Sequence, residues 1–134
     1  MTSTVLHLSS SSGPGGAERV MARLAAGLDP SRYRSVACLF RDGWLRKRCE
    51  ESGIETSILG MTGRLDLRWL RRFCRLARRQ DVKLIHAHEF GANTYGALAA
   101  WVLGIPLIAT VHGDRKSTRL NSSHTATSRM PSSA

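Results

Sequence analysis

Short β-branched and aliphatic runs alternate with longer stretches in which apolar residues recur every three or four positions. Thr4–Leu8 (TVLHL) is a compact apolar run meeting a Gly/Ser loop, which predicts a buried strand. From Ala17 onward, Val20, Met21, Leu24, Ala25 and Leu28 fall at helical spacing until Asp29-Pro30 stops them. Ser35–Phe40 predicts a second strand, Gly43–Ser52 a polar helix closed by Gly53, and Ile54–Leu59 a third strand. A helix over Asp66–Gln80 follows, then a strand over Val82–Ala87 (VKLIHA), an Ala-rich helix over Ala92–Leu103 closed by Gly104, and a fifth strand over Pro106–Val111. Strands and helices alternating at these lengths predict βαβ units and a parallel sheet covered on both faces. The expected architecture is a doubly wound, Rossmann-like α/β domain with strand order 3-2-1-4-5. Ligands of such sheets sit beyond the carboxyl ends of the strands, at the switch point. Three strand ends there carry the chemistry: Ser9–Gly16, His86–Asn93 and His112-Gly113.

Composition narrows the class. A chain of 134 residues with 42% apolar residues suits one soluble domain. Its apolar stretches are too short and interrupted to span a membrane, and its first residues lack the features of a signal peptide. Three widely spaced cysteines, Cys38, Cys49 and Cys74, fit reduced thiols in a cytoplasmic protein. The formal charge is +10, without the aromatic-basic interleaving of a nucleic-acid binder, so no nucleic-acid partner is expected. Residues 115–134 differ from the rest: nine of the twenty are Ser or Thr, none is acidic, and no periodicity survives. They read as a disordered, non-native tail behind a domain of residues 1–114. The tail holds four positive charges and no negative ones, which leaves about +6 on the domain.

The loop SSSSGPGGAE, Ser9–Glu18, admits three readings. Free N–H groups and the dipole at a helix start suit an anion, and glycines allow close approach. A plain Gly/Ser turn is the bland alternative. A dinucleotide fingerprint starting at Gly13 and Gly15 would need glycine where Glu18 stands, and a P-loop would need lysine after Gly16 where Ala17 stands. Both familiar nucleotide loops are therefore disfavoured.

The string GPGGAERV after VLHLSSSS resembles the first loop of family 4 glycosyltransferases of GT-B fold. VKLIHAHEFGANTYGALAAWVLGIPLIATVHGD resembles the later part of the same N-terminal domain. The resemblance covers Thr4–Asp114 and implies one of two Rossmann-like domains facing each other across a cleft. The second would hold most of a nucleotide-sugar donor; the first would serve a glycan or lipid-linked acceptor and close on the donor. It implies a retaining sugar transfer with no cofactor and no metal. It further implies that Gly15 and Gly16 approach the donor diphosphate or sugar, with Glu18 in the same loop. For Glu18 a dipole-favoured first-turn carboxylate is the equal alternative. His112 would face the cleft as the catalytic-side histidine, beside Gly113. His88, Glu89 and Asn93 would lie on the acceptor side. The paired glutamates of the family's second domain are absent from these residues, so the chain alone is expected to be inactive.

His86 and His88 share a strand face, but two histidines do not make a metal site. His7 reads as a core histidine. Arg64–Arg79 forms a basic amphipathic helix, with Leu65, Trp69, Leu70, Phe73 and Leu76 opposite the arginines. Such a face suits either solvent or an anionic membrane surface, which would make the protein peripheral at the inner membrane face. Two competitors remain: a non-catalytic sugar- or anion-binding module, and a basic membrane-surface protein.

Overall fold

The structure is a computed structural model, which describes residues 2–60, 66–88 and 90–110. The elements run β1 (Ser3–Ser9), α1 (Gly16–Gly27), β2 (Tyr33–Leu39), α2 (Trp44–Glu51), β3 (Glu55–Ile58), α3 (Leu67–Arg79), β4 (Val82–Ala87), α4 (Phe90–Leu103) and β5 (Leu107–Ala109). The five strands form one sheet in the order β3-β2-β1-β4-β5, and every pairing is parallel. This is the doubly wound order expected from the alternation. β1 and β4 are therefore neighbours at the point where the winding reverses direction.

Side chains alternate across the sheet, so one strand feeds two cores. Leu6, Leu8, Val36, Cys38, Ile85 and Ala87 pack with Trp69 and Phe73 of α3 and with Ala92, Ala99 and Ala100 of α4. Ala37 and Leu39 pack on the opposite face with Met21, Ala22 and Ala25 of α1 and Leu45 and Cys49 of α2. The first core is anchored by aromatics. Trp69 stacks on Phe73 with ring centroids 5.1 Å apart, and its indole N–H donates to the Leu59 carbonyl at 2.8 Å. α4 needs small residues because it lies close to the sheet. A Cβ at Gly96 would stand 3.3 Å from both Ala87 Cβ and Leu107 Cδ1 and 3.4 Å from Leu8 Cδ2.

The punctuation acts as the sequence implied. Gly53 (φ 79°) and Gly104 (φ 71°) take the left-handed conformation just after α2 and α4, where a side chain would be strained. Asp66 caps α3 by accepting the Trp69 N–H at 3.0 Å. β2 begins two residues before the expected Ser35, because Tyr33 pairs with Ser3. β5 ends at Ala109, within the expected Pro106–Val111. Among the described residues, no helix is long and apolar enough to cross a membrane.

Candidate functional site

The turn from β1 to α1 is a fastened loop. Ser9 is buried, and its hydroxyl donates to the Ser11 carbonyl at 2.9 Å. Ser12 is buried too; its hydroxyl donates to the Arg41 carbonyl, and its own carbonyl accepts the Leu45 N–H at 2.9 Å. These bonds tie the loop to the β2–α2 turn. The contact demands glycine at position 43, where a Cβ would lie 3.0 Å from Ser12 Cβ and 3.1 Å from its carbonyl oxygen. Ser9, Ser11 and Ser12 therefore serve as hydrogen-bonding posts, and Gly13, Pro14, Gly15 and Gly16 are exposed between them and α1.

Gly15 is the N-cap of α1 and supplies no side-chain cap. Glu18, in the first turn, is buried and folds back over it. The Ser11 hydroxyl donates to the Glu18 carboxylate, and a Cβ at Gly15 would stand 2.7 Å from Glu18 Oε1. A carboxylate thus lies against the helix start, where the dipole favours negative charge. Gly16 differs from Gly15: a Cβ there would meet nothing within 4 Å. The backbone is open on the Gly16 side and occupied by Glu18 on the Gly15 side.

The β4 end adjoins this loop across the switch point. His7 and His86 are register partners on β1 and β4. His88 follows β4, and its N–H donates to the Leu8 carbonyl at 3.0 Å. The structure fully buries His88, which the resemblance placed near the acceptor, while His86 remains half-buried. His7 Nδ1 and His88 Nε2 are 3.2 Å apart, and His86 Nε2 is 2.7 Å from Thr110 Oγ1. Burial, with His86 beside it, holds the His7 imidazole well below its ordinary range, at about 3. Asn93 is half-buried in the first turn of α4. Glu89, His112, Gly113 and the tail 115–134 lie outside the described residues, as do Arg64 and Leu65 of the basic segment.

On α3, Trp69, Phe73, Cys74, Leu76 and Ala77 are buried. Arg68, Arg71, Arg72, Arg75, Arg78 and Arg79 are exposed. Asp66 and four of these arginines, Arg68, Arg71, Arg72 and Arg75, line an open cavity of about 540 Å³. On the neighbouring α4, Trp101 and Val102 are also exposed.

A family model described as the glycosyl transferase 4-like domain matches residues 15–131. The chain belongs to the glycosyl transferase 4-like family. No curated protein sequence matches the chain. Among solved structures, this glycosyl transferase 4-like domain is similar to Anabaena Alr3699/HepE crystallised with UDP-glucose. The identity is 27% and the TM-score 0.69, over 82% of this chain and 29% of that one. A glycosyltransferase from Rickettsia africae superposes with a TM-score of 0.71 at 15% identity, over 91% of this chain and 34% of that one. Acinetobacter baumannii MurG gives 0.68 at 17% identity, over 92% and 39%. The last two bear on the fold alone. The domain spans 29% to 39% of the length of these three proteins.

Proposed function

We propose that this domain is the acceptor-side half of a retaining, nucleotide-sugar-dependent glycosyltransferase, and that it is inactive without a second Rossmann-like domain. The observation that carries the reading is the fastened loop between β1 and α1, with open backbone at Gly16 and a carboxylate over Gly15. A donor phosphate is drawn to the free N–H groups of the helix start on the Gly16 side. Beside Gly15 the Glu18 carboxylate repels a phosphate, and its work there is to accept hydrogen bonds from sugar hydroxyls. By the family resemblance His112 and Gly113 are assigned to the transferring sugar and Glu89 and Asn93 to the acceptor, while the fully buried His88 reaches the acceptor only through its neighbours. The UDP-glucose bound to the Anabaena relative supports a nucleotide-sugar donor. The test is UDP release and product stereochemistry with the parent protein, against the 134-residue chain alone. The reading requires α-linked product from the parent and no turnover from the chain. A β-linked product overturns retention, and a parent inert towards all nucleotide sugars overturns the donor class.

The acceptor is a glycan or a lipid-linked sugar, and α3 favours the lipid-linked kind. α3 exposes six arginines, and Trp101 on the neighbouring α4 is 68% accessible. Guanidinium groups are attracted to anionic headgroups by about 1 kcal/mol each, and Trp suits the boundary between water and acyl chains. The protein then works at the inner, cytoplasmic membrane face. Flotation with anionic and with neutral vesicles tests this; equal flotation with both removes the membrane from the account.

A further inference from the structure

Three imidazoles meet where β1 and β4 run side by side. His7 and His86 are register partners, and His88, two residues after His86, projects to the same face. One ring nitrogen from each histidine lies within 4.8 Å of those of the other two. Imidazole nitrogens bound tetrahedrally to zinc at about 2.0–2.1 Å stand roughly 3.4 Å from one another. The 3.2 Å hydrogen-bond contact between His7 Nδ1 and His88 Nε2 is close in length to one edge of such a tetrahedron, with the shared proton displaced on binding. The widest separation, at most 4.8 Å, must close by about 1.4 Å. The ring that must shift is His86, which is half-buried and hydrogen-bonded through Nε2 to Thr110 Oγ1, while the other two are buried.

We propose that His7, His86 and His88 form a three-histidine site for a borderline divalent transition metal of the zinc class. Three nitrogen donors without a carboxylate among them favour such ions over Mg²⁺ or Ca²⁺, which take oxygen ligands. Three protein ligands leave a fourth position for water, on the half-buried His86 side. A bound ion clamps β1 to β4 beneath the β1–α1 loop. This inference is independent of the sugar-transfer reading.

The test uses the full 134-residue chain, stripped with a chelator and titrated with Zn²⁺, Co²⁺ and Mg²⁺ alone. The expected results are one equivalent of Zn²⁺, a tetrahedral Co²⁺ visible spectrum, and no Mg²⁺ binding. Zn²⁺ in hundredfold excess over its Kd raises the Tm by several degrees. His86→Ala abolishes Zn²⁺ binding while keeping the circular dichroism of the fold, and His124→Ala, in the serine- and threonine-rich tail, binds as before. No saturable Zn²⁺ binding, an octahedral Co²⁺ spectrum, or Zn²⁺ binding that survives His86→Ala overturns the site. The Co²⁺ spectrum of the native chain decides the matter even if His86→Ala does not fold.

Discussion

Gly15 and Gly16 are adjacent, yet alanine should act on them in opposite ways. At Gly16 a Cβ meets nothing within 4 Å, and the residue is exposed at the start of α1. Alanine there removes unfolded-chain freedom and gains up to about 1 kcal/mol of helix propensity, so the Tm should hold or rise by a few degrees. At Gly15 the same Cβ would stand 2.7 Å from Glu18 Oε1 and must push the carboxylate aside. Shifting the carboxylate strains the Ser11–Glu18 hydrogen bond on its other oxygen, and alanine replaces glycine at an N-cap, a combined loss of about 1 kcal/mol. Thermal melts of the two variants of the 134-residue chain test the steric half of the reasoning. A Gly16→Ala melt well below that of the native chain, or a Gly15→Ala melt equal to it, refutes it. The functional half needs the parent protein. If a donor phosphate accepts a hydrogen bond from backbone at Gly16, a side chain there displaces it. One charge-assisted bond lost, about 1.5–3 kcal/mol, lowers kcat/KM by about 10- to 150-fold. Gly16→Val enlarges the obstacle and should lower kcat/KM further. A Gly16→Val parent with unchanged kcat/KM would end the assignment of this loop to the donor.

Gly96→Val places branched carbon where a single Cβ already stands 3.3 Å from β4 and β5 side chains; it should cost at least 1–3 kcal/mol, visible as a fall in urea midpoint at constant m. Asp66→Ala removes the carboxylate that accepts the Trp69 N–H and should cost about 1 kcal/mol in the same assay, with Asp66→Asn nearly neutral. Burial pushes the Cys49 thiol up to about 11, so at pH 8 it holds about a hundredfold less thiolate than an ordinary thiol. Native Cys49 should therefore resist alkylation, react faster as pH climbs towards 11, and label rapidly once the chain is unfolded in guanidinium.

The fold was legible because two periods sort the chain cleanly. Runs such as Thr4–Leu8 and Val82–Ala87 are too short for buried helices and end at glycine, serine or histidine, so they read as strands. The helical spacing of Trp69, Phe73 and Leu76 names the face of α3 that the structure buries, to which Cys74 and Ala77 also belong. Boundaries moved where pairing overrode composition: the polar Tyr33 and Arg34 joined β2 because β1 offered them a partner strand. The serine-rich loop was harder to read. Serine and glycine in a row suggest flexibility, and only the contacts at Arg41, Gly43 and Leu45, thirty residues on, show why the loop holds its shape.

The histidines mark the limit of one-dimensional reading. Period-two alternation places His86 and His88 on one face, and a pair alone argues against a metal. His7 lies some eighty positions away, inside an apolar run, where a buried imidazole is the simplest account. Its neighbourhood is fixed by the strand order, because β1 pairs with β4 only when the winding reverses, and by a register that sets His7 opposite His86. A register one residue different would turn His7 towards the α3–α4 core and leave two histidines instead of three. The chemistry available to this cluster is therefore a property of β1–β4 pairing, and variants that shift that register should lose Zn²⁺ binding without altering any of the three imidazoles.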